Sequence, residues 1–384
     1  MTTIQGHADD GFGAVADAFQ ENFDDREELG AAFSLYVDGV RRVDLWGGFA
    51  DNRTGEAWTD KTLALVFSTT KGATAVCVAK LVEEGRLTYD DAVADHWPEF
   101  GTAGKSDITV AQLMSHQAGL IGVEAPLTFD EIMNVAPVVE SLQGQTPEWP
   151  PGTAHGYHAL TYGWLAGELV RRVDGRTIGR FFAEEIAGPL GLEFWIGLPE
   201  AEEHRVARLR NSPLPSDPVE LEALIQVMGP GSRGFRALAL DGRITMAGDN
   251  DFNSRAVHAT EMPAANGITD ARSLARMYSA TVGPVDGIRL IGDDTVAAAR
   301  AERVNGPDLT LVRNTRFGAG FWLHDAGTPM IQDGSFGHPG AGGSLGFANP
   351  ELGIGYGYVM NQMGGGVAGD PRTIALNDAV LASL

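Results

Sequence analysis

Phe67-Ser68-Thr69-Thr70-Lys71-Gly72 opens an apolar run, Ala73 to Leu81, in which Ala73, Val76 and Cys77 recur at helical spacing. A serine at the start of a helix and a lysine three residues on share one face, about one turn apart. Ser68 and Lys71 thus have the arrangement in which a lysine amine takes the proton of a serine nucleophile. The Ser68 amide, near the helix N-terminus, is free to donate to an oxyanion. The chain holds four lysines (Lys61, Lys71, Lys80, Lys105) and fourteen serines in 384 positions, so free placement gives roughly 0.15 such pairs. The plainer reading is an N-capping serine followed by a surface lysine. Against it, arginine is the default cation here, at twenty-four residues, so a retained lysine that can shed its proton is informative.

Composition bounds the rest. A chain of 384 residues exceeds the usual single domain, which predicts two structural lobes. It is 43% hydrophobic and 21% charged, as a soluble globular protein is, with a net charge of −23 and a pI near 4.7. So acidic a surface repels phosphate backbones, which excludes nucleic acid and anionic membranes as partners. The single cysteine, Cys77, rules out an internal disulfide and fits a reducing compartment. Met1 to Gly13 carries no basic region followed by an apolar core, and no uncharged apolar run reaches membrane-spanning length. The expectation is a soluble cytoplasmic protein.

Residues 12–23 read as a helix with Phe12, Val15, Phe19 and Phe23 on one stripe. Ala31–Val37 and Val40–Trp46 read as strands around an Asp38-Gly39 hairpin turn. From about residue 85 to 282 helical patterns dominate, among them Val110–His116, Thr128–Leu142, Thr161–Val173, Ile178–Ile186, Asp217–Met228 and Asp270–Ala280. Thr128 with Glu131 has capping-box spacing. Strands return at Phe317–Leu323, Gly346–Asn349 and Ile354–Asn361, and Pro371–Leu384 closes with a helix. This order predicts an α+β fold: a sheet domain assembled from residues 1–84 and 283–384, with a mainly helical domain, 85–282, inserted and the site in the cleft between them.

A nucleophilic serine needs a proton acceptor, an oxyanion hole and a group that protonates the leaving atom. The loop Pro151-Gly152-Thr153-Ala154-His155-Gly156-Tyr157 offers Tyr157 as base or acid, provided nearby cations lower its pKa from about 10 toward neutrality. Taken alone, a loop tyrosine is more often a packing residue. The second stretch is Phe336-Gly337-His338-Pro339-Gly340-Ala341-Gly342-Gly343-Ser344-Leu345-Gly346, whose glycines let a backbone come close to a ligand.

Three ordered motifs, Ser68-Thr69-Thr70-Lys71, the Pro-Gly-Thr loop leading to Tyr157, and the His338-Pro339-Gly340 box, resemble the serine hydrolases of class C β-lactamase fold. The chain is most similar to the family VIII carboxylesterases, including the mycobacterial-type esterase/lipases that read Tyr-His-Ala-Leu at the second motif. Gly85–Asp91 leading to Trp97-Pro98-Glu99-Phe100, and Leu113–Leu120, extend the likeness from about Leu35 to Asn361. The resemblance implies an antiparallel sheet flanked by helices, like that of penicillin-binding proteins. It makes Ser68 the acylated nucleophile, Lys71 its base and Tyr157 the proton relay, with no cofactor. The amides of Ser68 and Ala341 become the oxyanion hole, and His338, Gly340 and Gly342 contact the substrate. His338 stands where β-lactamases carry a lysine, and an imidazole holds a β-lactam carboxylate less well than an ammonium. Ala159 stands where they usually place an asparagine two residues after the tyrosine, which removes a polar contact to an amide-bearing substrate. Both departures favour an esterase.

Other patterns read as scaffold. Gly342-Gly343-Ser344-Leu345-Gly346 has the spacing of a nucleophile elbow, but a strand-like segment follows it and no histidine lies downstream. Gly364–Gly369 fits a dinucleotide fingerprint on spacing, yet only fifteen residues follow, too few for the second strand. His155 and His158 lack the further ligands a metal needs. His116 reads as ordering a helix end, Cys77 as a small core residue, and Asp24–Glu28 as a solvated face. The expected activity is hydrolysis of short acyl esters. The alternatives within the fold are β-lactam hydrolysis, D-amino-acid peptidase activity and acyl transfer. The rival of another class is a penicillin-binding sensor that acylates once without turnover.

Overall fold

In the computed structural model, which describes residues 2–246, 248 and 250–384, strands from both ends of the chain meet in one sheet. The N-terminal part gives β1 (Gln5–Ala8), β2 (Gly30–Val37) and β3 (Val40–Asp51). The C-terminal part gives β4 (Val304–Asp308), β5 (Arg313–Phe317), β6 (Trp322–Leu323), β7 (Phe336–Pro339), β8 (Leu345–Asn349) and β9 (Ile354–Met360). The order is β1-β3-β2-β9-β8-β7-β6-β5-β4, antiparallel throughout, with the short strand Glu56–Ala57 added to β3. Asp38 and Gly39, both at positive φ, make the tight β2–β3 turn that the Asp-Gly pair predicts. The two ends of the chain join where β2 pairs β9, from Val37 opposite Ile354 to Ala31 opposite Met360.

Alternation along β9 sorts the two faces. Ile354, Tyr356, Tyr358 and Met360 share one core with Phe33 and Leu35 of β2, Val15 and Phe19 of α1 (Gly13–Asp25), and residues of the C-terminal helix. The opposite face packs on α2 (Thr70–Glu83), the helix that follows Ser68, and on helices of the middle of the chain. The first of these, α3 (Val110–Met114), begins at a capping box of Thr109 and Gln112. The single helix expected over 128–142 is two, α4 (Phe129–Met133) and α5 (Ala136–Gly144), because Val135 takes φ +64 ahead of Pro137. The Thr128–Glu131 capping box is present. Next come α6 (Thr161–Asp174), α7 (Ala271–Val282) and α8 (Pro371–Ser383).

The boundary expected at residue 282 is corrected by α7. This helix lies against β9, β8 and β2 rather than among the inserted helices. Glycines in the strands allow it: a Cβ on Gly355 would lie 2.3 Å from the Ala275 carbonyl oxygen, and one on Gly357 2.4 Å from that of Ala271. The residues just before α7 are also tied in, since Ile268–Thr269 pairs with Ala64–Leu65 ahead of the serine. The expected strand Phe317–Leu323 is the end of β5 and the start of β6, separated by Gly318 and Gly320. Gly320 has φ +91 and no room for a side chain beside Tyr162.

Candidate active site

Ser68 sits on a sharp turn before α2. Phe67 ahead of it takes φ +44, a costly conformation for a bulky residue. The turn is held from both sides: Thr69 N–H donates to the Val66 carbonyl at 3.1 Å and Thr70 N–H to that of Phe67 at 3.0 Å. Thr70 Oγ1 also donates to the Phe67 carbonyl and accepts from Gly267 N–H. The Ser68 side chain is thereby presented half-buried, while Lys71, one helical turn on, is fully buried.

Lys71 Nζ lies 3.0 Å from Ser68 Oγ and donates to the carbonyls of Ala159 at 2.7 Å and Ala264 at 3.0 Å. It has no carboxylate partner among the described residues, and its charge would be stranded in the core. Burial alone therefore pushes the amine well below its usual pKa. A neutral amine has two N–H donors, and two carbonyls take them. The remaining lone pair faces the Ser68 hydroxyl.

Tyr157 lies beside this amine, with Lys71 Nζ 4.7 Å from its ring centroid. Its backbone is pinned at three successive residues. Gly156 N–H donates to the His116 carbonyl, Tyr157 N–H to Asp308 Oδ1 at 3.1 Å, and His158 N–H to His116 Nδ1 at 3.1 Å. The ring stacks on Phe317 and touches His116 and Trp322. Lowering of its pKa by nearby cations does not occur: burial pushes the phenol up, against the lowering effect of the neighbouring Ser68 side chain. Tyr157 stays protonated, and its buried hydroxyl has no well-formed hydrogen bond.

The His338 box forms the end of β7 and the tip of the β7–β8 hairpin. Gly340 packs so closely under the serine turn that a Cβ there would meet Ser344 Oγ at 2.1 Å and the Val66 carbonyl at 2.3 Å. Ser344 clamps the two segments, donating to Val66 O at 2.8 Å and bonding Thr69 Oγ1 at 3.0 Å, which is the scaffold role expected of it. Ala341, at the tip, is half-buried. Among the described residues, neither the Ser68 nor the Ala341 N–H has an acceptor. Two unspent donors thus flank the serine, the arrangement an oxyanion requires.

The other three box residues are placed differently from expectation. Gly340 donates to the Ser344 carbonyl and accepts from Gly343, while Gly342 donates to Gly366 and accepts from Gly364 and Arg372. With both backbone groups committed, Gly340 and Gly342 frame Ala341 and have none left for a substrate. His338 is buried between Tyr157 and Trp322, and its Nδ1 donates to the Pro339 carbonyl at 2.6 Å. Burial, and then the nearby Lys71, push its pKa well down. Its Nε2 is consequently an unpartnered acceptor, unsuited to binding a carboxylate.

Sequence reasoning passed over several groups. Asp308 on β4, whose Oδ1 also accepts from Thr310 and Leu311 N–H, carries no motif. His116 was assigned only to a helix end. It does end α3, at φ +65, but it also supports the backbone on both sides of Tyr157. His155 and His158 point to different partners, Thr315 Oγ1 and the pair Gly156 O and Leu120 N. No three metal-ligating side chains cluster among the described residues.

The β-lactamase family profile matches residues 15–381. The chain is 35% identical over 366 residues to the esterase/β-lactamase LipL of Mycobacterium tuberculosis, covering 94% of this chain and 83% of that protein. It is 39% identical to a family VIII carboxylesterase of known structure and 40% identical to a penicillin-binding protein homolog from Caulobacter crescentus. Both have a TM-score of 0.87, and coverage is 100% of each chain.

Proposed function

The chain belongs to the β-lactamase family, and from that premise we propose that it is a serine carboxylesterase hydrolysing short-chain acyl esters through an acyl-enzyme on Ser68. The observation that carries this reading is the neutral Lys71 amine, aimed 3.0 Å from Ser68 Oγ by two carbonyl acceptors. Ser68 Oγ attacks the ester carbonyl as its proton passes to Lys71 Nζ. The new C–O bond leaves a tetrahedral oxyanion on the N–H groups of Ser68 and Ala341. The ester C–O bond then breaks. The neutral Tyr157 phenol protonates the departing alkoxide and is reprotonated by the Lys71 ammonium. Water attacks the acyl-enzyme by the reverse proton route and releases the acid.

Hydrolysis of p-nitrophenyl acetate and butyrate by wild type and Ser68→Ala, with intact-protein mass spectrometry, tests the reading. Turnover lost in the variant and a transient acyl adduct on wild type are expected. Wild-type rates in Ser68→Ala would end the assignment. The likeness to a penicillin-binding protein homolog favours one second reading, a module that is acylated once. A stable adduct without turnover would select it. Against β-lactams as substrates stands the neutral, buried His338.

Among the described residues no helix is long and apolar enough to cross a membrane. The lone thiol, Cys77, buried and pushed up beyond ready ionisation, supports placement in a reducing, cytoplasmic setting. The partner is then a small ester, with no nucleic acid.

A further inference from the structure

Behind Ala341, on the side away from the serine, lies a buried ionic cluster that the reaction above does not use. Arg372, in the first turn of α8, is 4% exposed. Its Nη2 donates to the Gly342 carbonyl at 2.6 Å, and its Nη1 to the Gln362 carbonyl at 2.9 Å. Asp370 takes Nε and Nη2 at 2.9 and 2.8 Å, and Glu28 Oε1 takes Nη1 at 3.1 Å. Glu28, itself fully buried, also accepts from the Tyr358 hydroxyl.

Stability alone does not account for such a cluster. Desolvating two carboxylates and a guanidinium costs several kcal/mol per ion, and apolar residues of like volume are commonly as stable or better. What an apolar substitute would lack is the pair of donors on Gly342 and Gln362. Gly342 and Gly343, at φ +84 and +126, are the loosest backbone of the β7–β8 hairpin, and they directly follow Ala341. The guanidinium presses against them: a Cβ on Gly343 would meet Arg372 Nη2 at 2.6 Å.

We propose that Arg372 is a positioning residue of the oxyanion hole, pinning the Gly342 carbonyl and thereby the orientation of the Ala341 N–H. The planar fork suits the task because one rigid group spans Gly342, Gln362 and two carboxylates, which an ammonium cannot do. The inference rests on the oxyanion role proposed for Ser68 and Ala341.

The test compares wild type, Arg372→Lys, Arg372→Ala and Ser68→Ala for kcat and KM with p-nitrophenyl butyrate and for affinity toward butylboronic acid. The boronate adds to the serine hydroxyl and places a tetrahedral oxygen in the hole. Circular dichroism and thermal melting report folding. The expected result is a folded Arg372→Lys with kcat/KM and boronate affinity each lowered about 10- to 100-fold. Methylguanidine should restore part of the loss in Arg372→Ala, reaching Asp370 by the cavity that Gly343, Gly366 and Asp370 line. Boronate affinity unchanged in folded Arg372→Lys overturns the inference alone. Affinity equal in wild type and Ser68→Ala overturns the reading on which it rests. Should both Arg372 variants fail to fold, Asp370→Asn, which keeps the N-cap oxygen of α8 while loosening the fork, must lower boronate affinity several-fold. Wild-type affinity there overturns the proposal.

Discussion

The Lys71 amine donates to the backbone carbonyl of Ala159 at 2.7 Å, the residue at which the sequence departs from the β-lactamase pattern. Because the acceptor is backbone, the change of side chain at 159 leaves the setting of the lysine intact. Nucleophile activation and substrate selection are therefore separable at this position. The first can persist while the second drifts.

With both N–H groups of Lys71 engaged and its pKa pushed well down by burial, kcat/KM for p-nitrophenyl esters should rise with pH along an acid limb far below the ordinary lysine value of about 10.4. Protonation at low pH removes the lone pair that faces Ser68, so the activity falls on that side. Lys71→Met should lower kcat about 10³-fold. A limb at the ordinary lysine value in the pH–rate profile would sink the neutral-amine mechanism.

Acid should destabilise the fold through its buried imidazoles. Burial lowers His158 to about 4, and His116, His338 and His155 shift the same way. Between that value and the unfolded value near 6.5, the unfolded chain binds more protons, so stability is full above about 6.5 and is lost as pH falls through about 4. His158 alone accounts for about 3 kcal/mol over that window. Urea midpoints measured from pH 7 to 4 should fall steadily, and a flat profile would contradict the neutral assignments.

Asp308 Oδ1 accepts from three backbone N–H groups, those of Tyr157, Thr310 and Leu311. Asp308→Asn weakens these charge-assisted bonds and should cost about 1–3 kcal/mol of stability. Displacement of Tyr157 should also lower kcat about tenfold. Thermal melts and ester kinetics on the variant check both effects. A kcat at the wild-type level in the folded variant would remove Asp308 from the site.

Gly355→Ala places a methyl 2.3 Å from backbone atoms of both Ala275 and Ser279, which cannot yield without moving α7 off the sheet. The expected loss is about 3 kcal/mol or more. Gly365→Ala, whose nearest neighbour is 4.0 Å away, is the control and should be near neutral. Equal melting temperatures for the two variants would refute the close packing of α7.

What the sequence made legible was local chemistry. The Ser68–Lys71 spacing, the Thr128 capping box and the Asp38-Gly39 turn each depend on residues a few positions apart, and each is present. What it concealed depends on distant partners. Asp308 meets Tyr157 across 151 residues, and Arg372 meets Glu28 across 344, with no pattern at either end to announce the other. β4 and β5 are polar edge segments without a two-residue period. α7 shows a helical pattern, but its small face, Ala271, Ala275 and Ser279, names no partner until the strand glycines are laid against it. The commitment of the Gly340 and Gly342 backbones was invisible for the same reason: glycine spacing reveals close approach but not what approaches.

The Thr69–Ser344 bond closes a loop of 275 residues, and this sets a timetable for biosynthesis. At ordinary elongation rates the serine turn leaves the ribosome roughly 15 to 55 s before the hairpin that carries Ala341. During that interval the nascent chain holds a nucleophile and a base but no oxyanion hole, and Arg372 follows later still. A growing polypeptide is therefore chemically silent toward cellular esters, and the enzyme switches on only as translation ends.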